Sequence, residues 1–252
     1  MINTDHDRRD RLDRLLVARG AFPTRARARD AILRGAVRVD GAPATKPGQI
    51  CDSGADIAVD DPASGYVSRA ALKLKTALDF WAVPVAGAVC LDIGASTGGF
   101  TQVLVEKGAA KVHAIDVGHG QMDATLRADA RVHLTEGLNA RDLTAARLDG
   151  DAPGVIVSDV SFISLKLALP PALDLAAPGA HLVALVKPQF EVGRDRIGKG
   201  GLVSADDAAA AADDLGAWLD AQPGWSGRAL VPSPIRGGDG NAEFLLWGVK
   251  DG

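Results

Sequence analysis

Cysteine is almost missing from this sequence: Cys51 and Cys90 are the only two in 252 residues. They stand far apart and form no CxxC or metal-ligand spacing, so neither a disulfide framework nor a cysteine-based metal centre is expected, and a reducing compartment suits the chain. Long apolar runs are also lacking. Leu175 to Val186 carries no formal charge, but Pro178, Gly179 and His181 interrupt it, and a membrane-spanning helix needs about 20 apolar residues. The opening MINTDHDRRDRLDRLL is charged where a secretory signal would be apolar. With 47% hydrophobic and 24% charged residues, the composition is that of a soluble globular protein, expected in the cytoplasm.

The net charge of −4 conceals an uneven distribution. Residues 1–50 hold eleven Lys and Arg against six Asp, a balance of +5, and the remainder holds 17 against 26, a balance of −9. A basic head on an acidic body suggests that the head meets a polyanion. Within it, Leu12, Leu15 and Leu16 recur at helical spacing up to Gly20, and Thr24 can cap a second helix, RARARDAILRG, closed by Gly35. The segments VRVDG and DIAVD then read as strands, the first running into an Asp40-Gly41 turn. DDPASGY has the composition of a linker. The expected division is an N-terminal unit over 8–60, a linker over 61–66 and a larger domain over 67–252.

In the larger domain, strands and helices alternate, predicting an α/β fold built on a doubly wound parallel sheet. Strands are expected at 88–94, 111–117, 154–160, 181–187, 227–233 and 243–249. The first runs straight into LDIGASTGGF, where Gly94, Gly98 and Gly99 let the backbone approach a ligand closely. Asp116 follows 22 residues after Gly94 at the end of the next strand, where a carboxylate can accept hydrogen bonds from ribose hydroxyls. The glycine spacing is G-x-x-x-G-G rather than GxGxxG, and no Lys-Ser/Thr pair follows. A ligand with a ribose and no phosphate fits this loop better than a dinucleotide or a nucleoside triphosphate does.

Several of these motifs carry a family resemblance. The stretch from Arg11 to Cys51, with Arg25, Arg27, Arg29, Arg34 and Arg38, resembles the S4 RNA-binding domain. LDIGASTGGF resembles motif I of the Rossmann-like methyltransferases, which use S-adenosylmethionine. Lys73, Asp159, Lys187 and Glu243, in that order at strand ends or the sheet entrance, resemble the Lys-Asp-Lys-Glu tetrad of RrmJ/fibrillarin-type 2′-O-ribose methyltransferases. Together with VSRAALKL, SDVSFISL, VKPQFEVG and GKGGLV, they make residues 8 to 250 resemble the TlyA (haemolysin A-type) ribosomal RNA 2′-O-methyltransferases.

That resemblance implies a Rossmann-like S-adenosylmethionine-dependent methyltransferase sheet with a small N-terminal S4 domain. It also implies ribosomal RNA or a ribosomal subunit as partner, with no membrane and no metal, and a cytidine as the target. Lys187 would take the hydroxyl proton or stabilise the alkoxide, Asp159 would orient it, and Lys73 and Glu243 would hold the network and the ribose. Gly94, Ser96, Thr97 and Gly98 would face the methionine end of the cofactor, Asp116 its ribose and Asn139 its adenine, while Asp92 braces the loop. The five arginines of the head would grip RNA phosphates, which positions a protein more than it reads sequence.

Other assignments stay open at this stage. Phe162 and Phe190 either stack on a flipped nucleotide or pack in the core. Residues 193–203 are either a mobile cationic loop beside RNA or a solvated connector. Tyr66 stands where the family often has Trp, and Ala70 where it often has Gly. The chain ends soon after its last strand, which within the family goes with a narrower substrate range and so with the large subunit. The Asn/Asp-Pro-Pro-Tyr/Phe sequence of many amine methyltransferases is missing, although a base methyltransferase remains an alternative. So do a pore-forming haemolysin, after the family's older name, and a non-catalytic ribosome assembly factor.

Overall fold

A computed structural model describes residues 9–251, so Arg8, the expected start of the N-terminal unit, lies outside the described residues. The chain divides into two compact units between Gly65 and Tyr66.

The N-terminal unit comprises β1 (Arg9–Arg11), α1 (Leu12–Ala18), α2 (Arg25–Leu33), β2 (Val37–Val39), β3 (Ala42–Pro43), β4 (Ile50–Asp52) and β5 (Ile57–Val59). Leu12, Leu15 and Leu16 of α1 bury against Ala28, Ala31 and Ile32 of α2, with Phe22, Val37 and Val39 completing this small core. The Thr24 side chain caps α2 by accepting the Arg27 N–H at 3.3 Å, which satisfies one of the helix's orphan donors. β2 is the centre of a three-stranded antiparallel sheet between β3 and β5. β1 pairs with β4, a ladder without a sequence signal, because the three residues Arg-Asp-Arg show no apolar alternation. Residues 61–65, expected to be linker, instead fold into this unit. Arg34 grips the Asp61 carboxylate with both terminal nitrogens, at 2.9 and 3.0 Å, Asp61 accepts the Ala63 N–H, and Ala63 is buried.

The second unit contains α3 (Ala70–Phe80), β6 (Val89–Ile93), α4 (Gly99–Glu106), β7 (Lys111–Asp116), α5 (Ala124–Arg127), β8 (Val132–Glu136), β9 (Val155–Ser158), α6 (Leu165–Ala168), α7 (Pro170–Leu175), β10 (His181–Val186), α8 (Ala205–Asp220), β11 (Trp225–Pro232) and β12 (Phe244–Lys250). Its seven-stranded sheet has the order β11-β12-β10-β9-β6-β7-β8, with β12 antiparallel to both of its neighbours and β6 to β10 parallel. Both faces are covered, so the strands are apolar throughout rather than alternating. Leu91, Ile93, Leu182 and Ala184 pack on one face, in one cluster with Leu165 of α6, Leu173 of α7 and Leu215 and Leu219 of α8. Cys90, Val112, Val183 and Leu185 pack on the other, under Leu74 of α3 and Leu104 of α4. The chain leaves β6 toward β7 and β8, then returns to place β9 on the other side of β6. That reversal opens a crevice beyond the carboxyl ends of β6 and β9, where open α/β sheets bind ligands. Among the described residues, no helix is long and apolar enough to cross a membrane.

Candidate active site

The glycine loop opens directly from β6 into this crevice. Gly94 has φ +84°, and a β-carbon on it would lie 2.9 Å from the Asp159 carbonyl oxygen, so only glycine allows the ends of β6 and β9 to approach so closely. The Asp116 carboxylate fixes the loop's far side: Oδ2 accepts the Ser96 N–H at 2.8 Å and Oδ1 the Gly118 N–H at 2.6 Å. The Ser96 hydroxyl donates to Gln121 Oε1 at 3.0 Å. A cavity of about 850 Å³ results, with Ile93, Ile115 and Leu138 among its apolar walls and Ser96, Asp116 and Asn139 among its polar groups. A recess of about 200 Å³, lined by Thr97, Gly99 and Lys187, adjoins it, and both spaces share Gly94, Ser96, Asp159 and Ser161.

Of the residues expected at the cofactor, Gly94, Ser96, Asp116 and Asn139 line the larger cavity and Thr97 the recess. Gly98 lines neither. It starts α4 with φ +96°, and a β-carbon there would strike Leu126 Cδ1 at 2.5 Å, so it shapes the loop from behind. Gln121, Arg141 and Val160 also face the cavity. Gln121 and Arg141 belong to none of the quoted motifs and Val160 lies within SDVSFISL, and only the strand order brings their loops to this crevice.

The four expected catalytic side chains meet in two ion pairs. Lys73 of α3 pairs with Glu243, just ahead of β12, and both are buried. Lys187, immediately after β10, sits 2.6 Å from Asp159 Oδ1, immediately after β9, and donates to Ser161 Oγ at 2.9 Å. Asp159 Oδ1 is buried and receives no aligned hydrogen bond, so its contact with Lys187 is one of charge more than of direction. Burial raises Glu243 above the usual carboxylate range, opposed by Lys73 and Lys187 and reinforced by Asp159; one carboxyl thus senses all three partners. Beneath them, burial pushes Asp92 up to about 7, with Asp159 and Asp116 adding to the rise. Asp92 Oδ2 accepts the Thr101 hydroxyl at 2.6 Å, while Oδ1 has no donor.

Phe162 is no core residue. It is 91% exposed with φ +65°, a conformation rare for an aromatic side chain. Its ring lies 5.1 Å from that of Phe190, and both line the larger cavity. Residues 193–203 are tied down by the buried Asn241. Its Oδ1 accepts the Val203 N–H at 2.9 Å, and its Nδ2 donates to the Gly201 carbonyl and to Asp239 Oδ2, each at 2.9 Å. Arg194, Arg196 and Lys199 are exposed on this segment.

In the N-terminal unit, Arg29 and Arg38 are exposed. Arg25 is half-exposed and donates to Asp13 Oδ2 at 3.0 Å. Asp13 is buried, and bonds from Arg11 and then Arg25 hold it down at about 2. Arg27 donates to the Ala63 carbonyl at 3.2 Å. Arg34 departs from the expectation that it offers itself to RNA. Its side chain is 15% exposed and is held by Asp30 and Asp61, so it secures the unit instead. Sequence spacing ranks it with its neighbours, since no pattern announces that Asp61 folds back.

An FtsJ-like methyltransferase model matches residues 66–250 and an S4 domain model matches residues 10–57. The 16S/23S rRNA (cytidine-2′-O)-methyltransferase TlyA of Mycobacterium tuberculosis is 46% identical over 242 residues, covering 95% of this chain and 90% of that protein. The 23S rRNA (cytidine-2′-O)-methyltransferase TlyA of Campylobacter jejuni is 38% identical, over 74% of this chain and 72% of its own. A solved structure from Streptococcus thermophilus, named as a hemolysin, superposes with a TM-score of 0.74 at 39% identity, covering 96% of this chain and 89% of the other. With these matches, the chain belongs to the FtsJ-like methyltransferases that carry an N-terminal S4 domain, the TlyA family.

Proposed function

We propose that this protein methylates the 2′-hydroxyl of a cytidine in ribosomal RNA, with S-adenosylmethionine as methyl donor. The observation that carries the reading is the Lys187–Asp159 pair at a recess continuous with the glycine-loop cavity, with the Lys73–Glu243 pair close enough for Glu243 to sense both Lys187 and Asp159. A cavity of about 850 Å³ with apolar walls and few polar groups has the size and character of a cofactor pocket. Asp116 keeps lone pairs free for ribose hydroxyls, and Asn139 lines the same cavity. S-adenosylmethionine, when bound there, supplies an electrophilic methyl group.

The protein's own task is to position a weak nucleophile and lower the cost of charge on it. In its neutral form Lys187 Nζ takes the hydroxyl proton; as the ammonium it neutralises the developing alkoxide. Asp159 and Ser161 hold that nitrogen in place. Lys73 and Glu243 fix the surrounding field. Phe162 and Phe190 offer aromatic faces to a base turned out of its stack, a contact worth about 1–3 kcal/mol per base. Arg29, Arg38 and the partly exposed Arg25 and Arg27 engage RNA phosphates. A ribosomal substrate puts the protein in the cytoplasm. A hemolysin reading has no use for a buried lysine–carboxylate cluster.

Small subunits, large subunits and naked rRNA, each incubated with methyl-labelled cofactor and mapped by mass spectrometry, test the proposal. Label on a cytidine ribose is expected. Label on a base, or RNA binding with no transfer to any substrate, overturns it.

A further inference from the structure

Two loops leave the carboxyl ends of neighbouring strands, residues 159–164 after β9 and residues 187–191 after β10, and beyond the Lys187–Asp159 ion pair three successive contacts join them. Lys187 donates to Ser161 Oγ at 2.9 Å. The Phe162 and Phe190 rings face each other at 5.1 Å. Behind the rings, Glu191 Oε2 accepts the Ser164 hydroxyl at 2.5 Å, and Glu191 Oε1 accepts the Leu165 N–H at 2.9 Å. The first contact belongs to the tetrad and the second is the exposed aromatic pair. The third has no part in either, yet it is the most directional of the three, with both carboxylate oxygens committed to the opposite loop.

The sequence builds this clamp economically. Phe190 and Glu191 are adjacent, so fixing the Glu191 carboxylate fixes the backbone that carries the Phe190 ring. Ser164 lies two residues after Phe162, and its Oγ also accepts the Lys166 N–H at 3.1 Å, which closes the first turn of α6. Phe162, held at φ +65° with 91% of its surface exposed, has few contacts of its own to hold that conformation, and a non-glycine residue keeps such a backbone only where its surroundings over-determine it. The clamp supplies that constraint from the C-terminal side, as Ser161 does from the N-terminal side.

Resting on the reading of Phe162 and Phe190 as the platform for the target base, we propose that Glu191 is a positioning residue for the RNA nucleotide, holding the two aromatic-bearing loops in register through Ser164 and the Leu165 N–H. The role is one of geometry rather than charge. Glutamine has the same shape: its carbonyl oxygen can accept the Leu165 N–H, and its amide can donate to the second lone pair of Ser164 Oγ. Burial already raises the Glu191 carboxyl above its usual range, against the lowering by Ser164, the Leu165 N–H and Lys166. Removing its charge therefore relieves a desolvation cost. The nearest ionic neighbours, Lys166 and Asp214, are paired with each other at 2.5 Å.

The test compares Glu191→Ala with Glu191→Gln in the full chain. Glu191→Ala is expected to raise KM for the RNA substrate about tenfold or more while cofactor Kd stays within twofold, and Glu191→Gln is expected to recover most of that loss. Amide hydrogen exchange over residues 161–168 gives a readout independent of turnover: faster exchange in Glu191→Ala, near wild-type exchange in Glu191→Gln. Unchanged KM and unchanged exchange in Glu191→Ala overturn the proposal. So does a Glu191→Gln variant as defective as Glu191→Ala with normal exchange, since that would make the charge itself the requirement. A wild-type product carrying its methyl on a base would overturn the ribose reading while leaving the exchange comparison intact.

Discussion

Gly94 and Asp159 meet backbone to backbone at the point where the sheet reverses its strand order. The Asp159 N–H donates to the Ile93 carbonyl at 3.0 Å, and the Asp159 carbonyl stands 2.9 Å from where a β-carbon of residue 94 would be. The glycine loop and the carboxylate that pairs with Lys187 therefore share one fixed junction. Gly94→Ala combines a steric clash with a φ of +84°, each costing on the order of 1–3 kcal/mol. It is expected to lower stability by a few kcal/mol in urea unfolding and to abolish cofactor binding in calorimetry. Cofactor binding at wild-type strength would refute the view that this contact shapes the pocket.

Asp116 orders the glycine loop, and in the proposed reading it also accepts the cofactor's ribose hydroxyls. Its oxygens accept the Ser96 and Gly118 N–H groups, which order the loop, and their remaining lone pairs face the cavity. Asp116→Ala is expected to weaken cofactor binding at least tenfold with little change in melting temperature, because the loop lies at the surface. Equal cofactor affinity in the two proteins would remove Asp116 from the ribose contact.

Most of the site was legible because it lies in short contiguous motifs at strand ends, and a doubly wound sheet brings strand ends together. The candidate tetrad could be named through the family resemblance that those motifs carry, although its pairing could not: only the packing of α3 over the sheet and the antiparallel insertion of β12 bring Lys73 to Glu243. Long-range choices of this kind leave no local trace. Asp61 is the counterexample in the N-terminal unit. DDPASGY has linker composition, yet one bidentate arginine anchors it and withdraws Arg34 from the RNA-facing set. The exposure of Phe162 was equally hidden, since an aromatic residue just beyond a buried strand fits core and surface alike until its backbone conformation is known.

The two ion pairs should respond differently to substitution. Breaking the buried Lys73–Glu243 pair with Lys73→Ala leaves a carboxylate without its partner, which costs about 3–5 kcal/mol. The double variant Lys73→Met/Glu243→Leu is expected to regain stability, since apolar replacement of a buried pair is often neutral or favourable, yet to remain inactive. Lys187→Ala removes a half-buried group at the recess and is expected to reduce kcat by a hundredfold or more with cofactor Kd unchanged, in line with other proton-transfer and charge-stabilising groups. Turnover at wild-type rate in either variant would dissociate the cluster from the chemistry.

Arg29 and Arg34 sit on the same helix and should separate binding from folding. The exposed Arg29 contributes a phosphate contact in this reading, so Arg29→Ala is expected to weaken RNA binding and to reduce the slope of log K against log salt by about one. Arg34→Ala breaks the bonds to Asp30 and Asp61 and is expected to lower the stability of the N-terminal unit instead. A salt slope altered by Arg34→Ala but not by Arg29→Ala would reverse the assignment.

Asp92 gives the fold a pH dependence whose sign is opposite to that of an ordinary salt-bridged carboxylate. Burial raises its folded-state value from 3.8 to about 7, so between those limits the folded protein retains a proton that the unfolded chain has lost. Stability from this group is then greatest near pH 4, falls as pH rises toward 7 and is level above it. Asp92→Asn keeps an oxygen for the Thr101 hydroxyl and replaces the unpartnered Oδ1 with an uncharged amide nitrogen. Urea midpoints for the two proteins are expected to converge near pH 4–5, to separate up to about pH 7 and to run parallel above it, with the variant the more stable at the alkaline end. Parallel curves below pH 7 as well would mean that Asp92 ionises at its ordinary value and that the buried carboxylate has found a partner for Oδ1.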